Sequence, residues 1–242
     1  MMTNMNQPDV YADVAKAIER QDYEGGRETV RDILQATAPN SCQYWSEAAC
    51  ELHRHEKFYE ALDCWKEAEK HFAASNDLDD YWCQDYIRTL INATDQTGDR
   101  YFTEQALYAC ERITEKIPSE DLLNYKLELL QIVKPSKEAV LDLIEQMLDR
   151  GYEVRRKIYV NKLGLECPYP MDEIESYSDL AELYLWNNKV SEALRIWAKA
   201  VTADKSAARE KIASAIFMLV WYADKNGFDE AAYLPEEFGR ID

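Results

Sequence analysis

Glu60-Ala61-Leu62-Asp63-Cys64-Trp65-Lys66-Glu67-Ala68 and Glu192-Ala193-Leu194-Arg195-Ile196-Trp197-Ala198-Lys199-Ala200 share the pattern Glu-Ala-Leu-x-x-Trp-x-x-Ala. Small, aromatic and small residues at i, i+4 and i+7 fall on one face of an α-helix. Upstream of each copy a second apolar series, Trp45, Ala49 and Leu52 or Tyr177, Ala181 and Tyr184, predicts a preceding helix. The polar stretches between them, 53–57 and 187–189, are short enough that the two helices of each pair run antiparallel. Each copy is therefore expected to be a helical hairpin. Ala49 facing Ala61, or Ala181 facing Ala193, would let the axes approach closely, while the tryptophan fills the space toward the next hairpin.

Counted from Trp45, offsets of 0, 4, 7, 16, 20 and 23 fall on Trp45, Ala49, Leu52, Ala61, Trp65 and Ala68. The same ruler from Tyr177 falls on Tyr177, Ala181, Tyr184, Ala193, Trp197 and Ala200. This order of large, small, large, then small, aromatic, small resembles the tetratricopeptide repeat family, whose unit is about 34 residues long. Weaker units start at Leu90, with Pro118 at the family's closing proline, and at Leu123. An opening unit set from Asp13 places Ala17, Ile33 and Ala36 suitably and Asp13, Arg20 and Thr29 unsuitably. The resemblance implies an α-solenoid whose first helices line a concave surface. On this chain that surface would receive Gln43, Ser46, Cys50 and His53, then Arg88, Ile91 and Asp95, then Ser178, Glu182 and Trp186. Family members that clamp the terminal carboxylates of chaperone peptides carry Lys, Asn and Arg there. Ser46, Cys50, Ser178 and Glu182 do not match that clamp, so a chaperone-tail adaptor is not implied.

The starting points Trp45, Leu90, Leu123 and Tyr177 are separated by 45, 33 and 54 residues, so the array is irregular. The first excess predicts a lengthened helix over 78–97. The second covers 151–173, where Pro168 and Pro170 prevent an uninterrupted helix. A closing helix is expected over 207–225, apolar on more than one face through Ile212, Ile216, Phe217, Leu219, Val220 and Trp221, with Gly227 placed to end it. The whole reads as an all-α, irregular α-solenoid of roughly ten to twelve helices in one domain, 1–242. Its parts are a divergent opening hairpin (10–41), repeat hairpins (42–150), an insertion (151–173), a further repeat hairpin (174–206) and a closing helix with a tail that folds back (207–242).

Composition agrees with this class. Of 242 residues, 47% are apolar and only 7 are Gly and 7 Pro, too few for the many tight turns of an all-β chain. A formal net charge of -18 argues against a general nucleic-acid binder or a binder of anionic membranes, because both need a basic face to displace counterions. The stretch 1–9 lacks the cationic and apolar regions of a secretory signal. The longest apolar run, 216–223, is well short of the roughly 20 residues that cross a bilayer. Six cysteines, Cys42, Cys50, Cys64, Cys83, Cys110 and Cys167, stand singly without a Cys-x-x-Cys pair, which suits reduced thiols in a cytoplasmic protein without disulfides.

Catalytic and metal chemistry find little support. Cys50, His53 and His55 form the best metal candidate, but tetrahedral zinc needs a fourth ligand or a water, and no metal or other cofactor is expected. The three histidines, all between 53 and 71, restrict a Cys–His nucleophile to Cys50 or Cys64, and Cys64 has an inward helical phase. Gly25-Gly26 lacks the Lys-Ser or Lys-Thr of a phosphate loop. Among 46 acidic residues, pairs suited to acid–base work arise without selection, and a solvated helix face explains most of them. The chain is thus read as a protein- or peptide-binding adaptor and not an enzyme. Two alternatives stay open: an acidic inhibitor or immunity-type protein covering a basic toxin or nuclease, and an enzyme with a groove-bound site.

Residues 1–100 hold 10 basic and 20 acidic side chains, against 8 and 9 over 151–205. A partner with a basic surface is therefore expected to meet the amino-terminal part. The candidate partner-binding residues are Asp77, Asp79, Asp80, Arg88, Glu182 and Trp186; Trp186 and Tyr81 lie off the repeat register, and such an aromatic exposed on a groove would be a candidate hot spot for a partner. Arg155, Arg156, Lys157 and Lys162 form the one basic cluster, read as an edge that pairs with the protein's own carboxylates.

Overall fold

The computed structural model describes residues 9–23, 29–36, 41–72, 77–155, 158, 163–166, 174–203, 206 and 208–227, the side chains of 77–80 and 208–209 excepted. Eleven helices run through them: α1 (Val10–Tyr23), α2 (Val30–Gln35), α3 (Cys42–Arg54), α4 (Phe58–Glu69), α5 (Asp77–Thr97), α6 (Arg100–Lys116), α7 (Glu120–Val133), α8 (Lys137–Asp149), α9 (Tyr177–Trp186), α10 (Val190–Ala203) and α11 (Ala208–Asn226). The protein is all-helical: among the described residues no strand occurs, and an isolated antiparallel bridge pairs Val154 with Ile174. No described helix is long and apolar enough to cross a membrane. The long α5 and the closing α11 lie within a residue of their expected bounds. Contacts along the chain gather into two compact units, Met1–Lys126 and Leu127–Asp242.

Local chemistry sets the helix ends. Ser41, Ser136 and Ser176 cap α3, α8 and α9 by accepting a hydrogen bond from the backbone N–H three residues on. At α9 the cap is reciprocal, because the Asp179 carboxylate accepts from the Ser176 N–H at 2.9 Å. The two hairpin bends are built alike. Glu56 and Asn188, both eleven residues past the start of their ruler, take left-handed φ values of 59° and 60°. The next N–H then reaches back to the carbonyl of Leu52 or Tyr184, at 3.0 Å in each case, as helix-ending Schellman geometry requires.

In the unit Met1–Lys126, α1 packs on α2, α3 on α4 and α5 on α6. Across these pairs α1 meets α3, α3 meets α5, α2 meets α4 and α4 meets α5. The register is legible in the burial: Trp45, Ala49, Leu52, Ala61, Trp65 and Ala68 are all buried. The Trp65 indole leaves its own hairpin and stacks on Tyr86 of α5, 5.2 Å between centroids and 12° between planes. Polar ties follow the same joints, with the Arg112 guanidinium of α6 gripping both Glu69 oxygens of α4 at 2.7 and 2.8 Å. The opening pair corrects the ruler. Beside Val10 and the ruled Ala17, its core is Val14, Val30 and Leu34, each one residue away from the ruled Asp13, Thr29 and Ile33, because the apolar stripe rather than the spacing decides which face turns inward.

In the unit Leu127–Asp242, α9 packs on α10, both pack on α11, and α8 meets α9. Ala181, Tyr184, Ala193, Trp197 and Ala200 are buried, while Tyr177 is half-buried and its hydroxyl donates to Asp149 at 2.8 Å. An ion network fastens α8 to α10. Glu145 accepts from Arg195 Nη2 and from Lys199 Nζ at 2.7 Å each, and Lys199 also reaches both Asp149 oxygens at 2.7 and 2.8 Å. Burial of α11 is one-sided. Ile212, Ala215, Leu219, Tyr222 and Ala223 face inward, whereas Phe217, Val220 and Trp221 are exposed, so its second apolar face is not packed as the sequence suggested. Gly227, at φ 71°, ends this helix. The expected fold-back of 228–242 lies outside the described residues.

Replacing Trp65 or Trp197 with Ala is expected to cost about 3 to 5 kcal/mol, since each is an almost fully buried indole whose removal leaves a cavity. Chemical denaturation of both variants checks this. The Glu145 carboxyl is held at about 2, below its ordinary 4.5, first by the Arg195 hydrogen bond and then by Lys199 against the opposing cost of burial. A depressed carboxylate contributes stability that is present above the unfolded value and lost as pH falls through the folded one. Stability of the wild type should therefore drop more than that of Glu145→Gln between pH 4.5 and about 2, read from melting curves at each pH.

Candidate partner-binding surfaces

On α3 the residues Gln43, Glu47, Cys50 and Arg54 recur at the spacing of one helical face. Gln43 is exposed and donates to Glu47 at 2.8 Å. Arg54 donates to Glu51 at 2.7 Å, and His55 Nε2 lies 3.3 Å from the same carboxylate. Opposite, on α5, the buried carboxylate of Asp85 accepts from Arg88, whose own side chain is exposed. Asp85, Arg54 and Arg88 all act on the Cys50 thiol, so two of the sequence-named residues, Cys50 and Arg88, belong to one α3–α5 surface. Burial pushes that thiol up to about 11, reinforced by the Asp85 charge and opposed by the two arginines. A thiol in this state carries little thiolate, the nucleophilic form, at neutral pH.

Other expected groove positions divide. Ile91 is half-buried and Asp95 exposed. Ser46 is fully buried, its hydroxyl 3.8 Å from the Cys42 sulfur, and does not face a groove. His53 is half-buried edge-on to Phe58, 5.1 Å between centroids, and burial lowers its pKa so that the neutral ring is favoured. Among the described residues no three His, Cys, Asp or Glu side chains gather to hold a metal ion. Asp77, Asp79 and Asp80 occupy the first turn of α5, with side chains outside the described set. Cys42, Cys50, Cys64, Cys83 and Cys110 are not joined in disulfides, and Cys167 lies outside the described residues.

In the second unit Ser178 and Glu182 are half-buried on α9. Trp186 corrects the sequence reading: it is 6% exposed, because Trp221 and Tyr222 of α11 close over a ring that the repeat register leaves unassigned. Tyr81 is exposed and stands edge-on to Trp82. Of the basic cluster, Arg155 is exposed and lies 3.6 Å from Glu153, while Arg156, Lys157 and Lys162 are outside the described residues. Beside the Val154–Ile174 bridge a cleft is lined by Glu153, Arg155 and Glu175, a mixture of charges without a dominant sign.

Sequence reasoning missed a surface pair on α4 and α6. Tyr59 and Tyr101, both exposed, stack at 5.9 Å with 29° between planes, and the Tyr59 hydroxyl donates to Asp99 at 2.6 Å. Their spacing of 42 residues matches no ruler interval, so only the packing of α4 near α6 brings them together. No protein-family model, curated protein or solved structure matches the chain.

At pH 8 a thiol at about 11 carries about 100-fold less thiolate than one at the ordinary 9.0. Cys50 is expected to alkylate with iodoacetamide slower than free cysteine by a factor of that order. Mass spectrometry of the Cys50 peptide over a time course measures it.

Proposed function

We propose that the chain is an irregular α-solenoid of tetratricopeptide-like hairpins that binds a protein or peptide carrying a basic surface. One observation carries the reading. In the unit Met1–Lys126 the first helices α1, α3 and α5 adjoin in order, as do the second helices α2 and α4, which is how stacked hairpins pack. Stacking of this kind leaves one side of each first helix without a helical neighbour, and on α3 and α5 that side carries Gln43, Glu47, Arg88 and Asp95. The surrounding sequence, with 20 acidic and 10 basic side chains over 1–100, would attract a basic partner from a distance and repel acidic competitors. In this reading the protein acts by binding, with no catalytic role, and its place of action is the cytoplasm.

Affinity capture followed by cross-linking and mass spectrometry tests the reading, with cross-links to the partner expected on α3 and α5. Association with the captured partner should slow as salt rises, since attraction is screened beyond a Debye length of about 8 Å at physiological ionic strength. The triple reversal Asp77→Lys, Asp79→Lys and Asp80→Lys should slow association more than it speeds dissociation, as rim charges do. Association rates indifferent to both changes, measured by stopped flow, would remove acidic steering from the account.

A further inference from the structure

Trp186 and Lys225 make a constellation that hairpin packing does not require. The Trp186 ring meets Trp221 edge-on, 4.8 Å between centroids and 69° between planes. Lys225 Nζ lies over both rings, 5.1 Å from the centroid of Trp186 and 5.3 Å from that of Trp221. Trp221 and Lys225 are four residues apart on α11, so one helical turn presents both to Trp186. Tyr222 stands at 85° to Trp186, and its hydroxyl donates to Asn188, which anchors the bend after α9 to α11.

A cation within about 6 Å of an aromatic face is attracted by the ring quadrupole, most strongly for Trp, and aromatic faces that converge on one ammonium are what recognises methylated lysine and quaternary ammonium ligands. One further observation sets this cluster apart from ordinary core packing. Trp221 is 41% exposed, so one wall opens to solvent.

We propose that Trp186 and Trp221 form an alkylammonium-binding site, with Lys225 as its tethered internal occupant. Lys225 sits in the last turn of α11, two residues before Gly227 ends the helix, so its side chain can swing away without disturbing the inward face of Leu219, Tyr222 and Ala223. The tether gives its ammonium a high effective concentration, on the order of millimolar, so free cations compete poorly until Lys225 is drawn off or removed. The site lies wholly within the unit Leu127–Asp242 and does not depend on the acidic steering proposed for the other unit.

Tryptophan fluorescence titrations of the full chain test this, using wild type, Lys225→Ser and Lys225→Ser/Trp221→Leu. The probes are choline chloride, methylammonium chloride, sodium chloride at matched ionic strength and 3,3-dimethyl-1-butanol, the neutral carbon isostere of choline. Lys225→Ser should bind an ammonium probe saturably and about tenfold more tightly than wild type, with no saturable response to sodium or to the neutral isostere. The added Trp221→Leu change, which keeps an apolar side chain but removes the π face, should weaken binding by about tenfold. Preference for choline assigns the site to quaternary headgroups and preference for methylammonium to unmodified lysine; both support it. Equal responses to choline and its isostere, or equal affinities in wild type and Lys225→Ser, would overturn it. Should the Trp221→Leu variant fail to fold, saturation transfer from indole protons to choline methyl protons in Lys225→Ser decides the matter: transfer supports the site and its absence rejects it.

Discussion

Two helices joined by a bend of two or three residues can lie close only if the residues where they cross are small, and everything else in this protein follows from that constraint. Ala49 and Ala61 in one hairpin, and Ala181 and Ala193 in the other, are fully or almost fully buried. With the axes drawn together there, the large residue one turn further along each second helix has no room inside its own pair. Trp65 accordingly projects onto Tyr86 of the following helix, and in doing so couples one hairpin to the next. Close approach within a pair and adhesion between pairs are two results of one side-chain order.

The bends carry the cost of that order. Glu56 and Asn188 both sit in the left-handed region, which a side chain other than Gly tolerates at a cost of about 1 to 2 kcal/mol, with Asn least penalised. The return is a helix end whose carbonyls are satisfied within the bend, which holds the second helix in antiparallel register. Charged residues then lock joints that apolar packing leaves adjustable. Arg112 with Glu69, and Arg195 and Lys199 with Glu145, join helices that are 43 to 54 residues apart in sequence. Such pairs contribute modestly when exposed, but the Glu145 carboxylate is itself largely covered and receives two cations.

Function in this account is a property of the faces left uncovered. The α3–α5 surface mixes exposed charge with a half-buried thiol whose pKa burial raises. In the other unit the uncovered face is aromatic, where Trp221 opens one side of a tryptophan pair already holding an ammonium.

The helices, the two best hairpins and their inward residues were determined by sequence alone, because a 3.6-residue period and a short polar bend are local properties that packing afterward confirms. Ala61, Trp65, Ala193 and Trp197 could be assigned to the core without coordinates, as could the long α5 with its 21 residues. What only the tertiary structure decided concerns residues whose environment is supplied from far along the chain. Ser46 has a polar side chain on an expected groove face and is buried; Trp186 lies off the register and is covered by α11; Val30 and Leu34, not Thr29 and Ile33, turn inward in the opening pair. In each case the periodicity marks a face of one helix, but which neighbour covers that face depends on helices tens of residues away, and no local pattern encodes that choice.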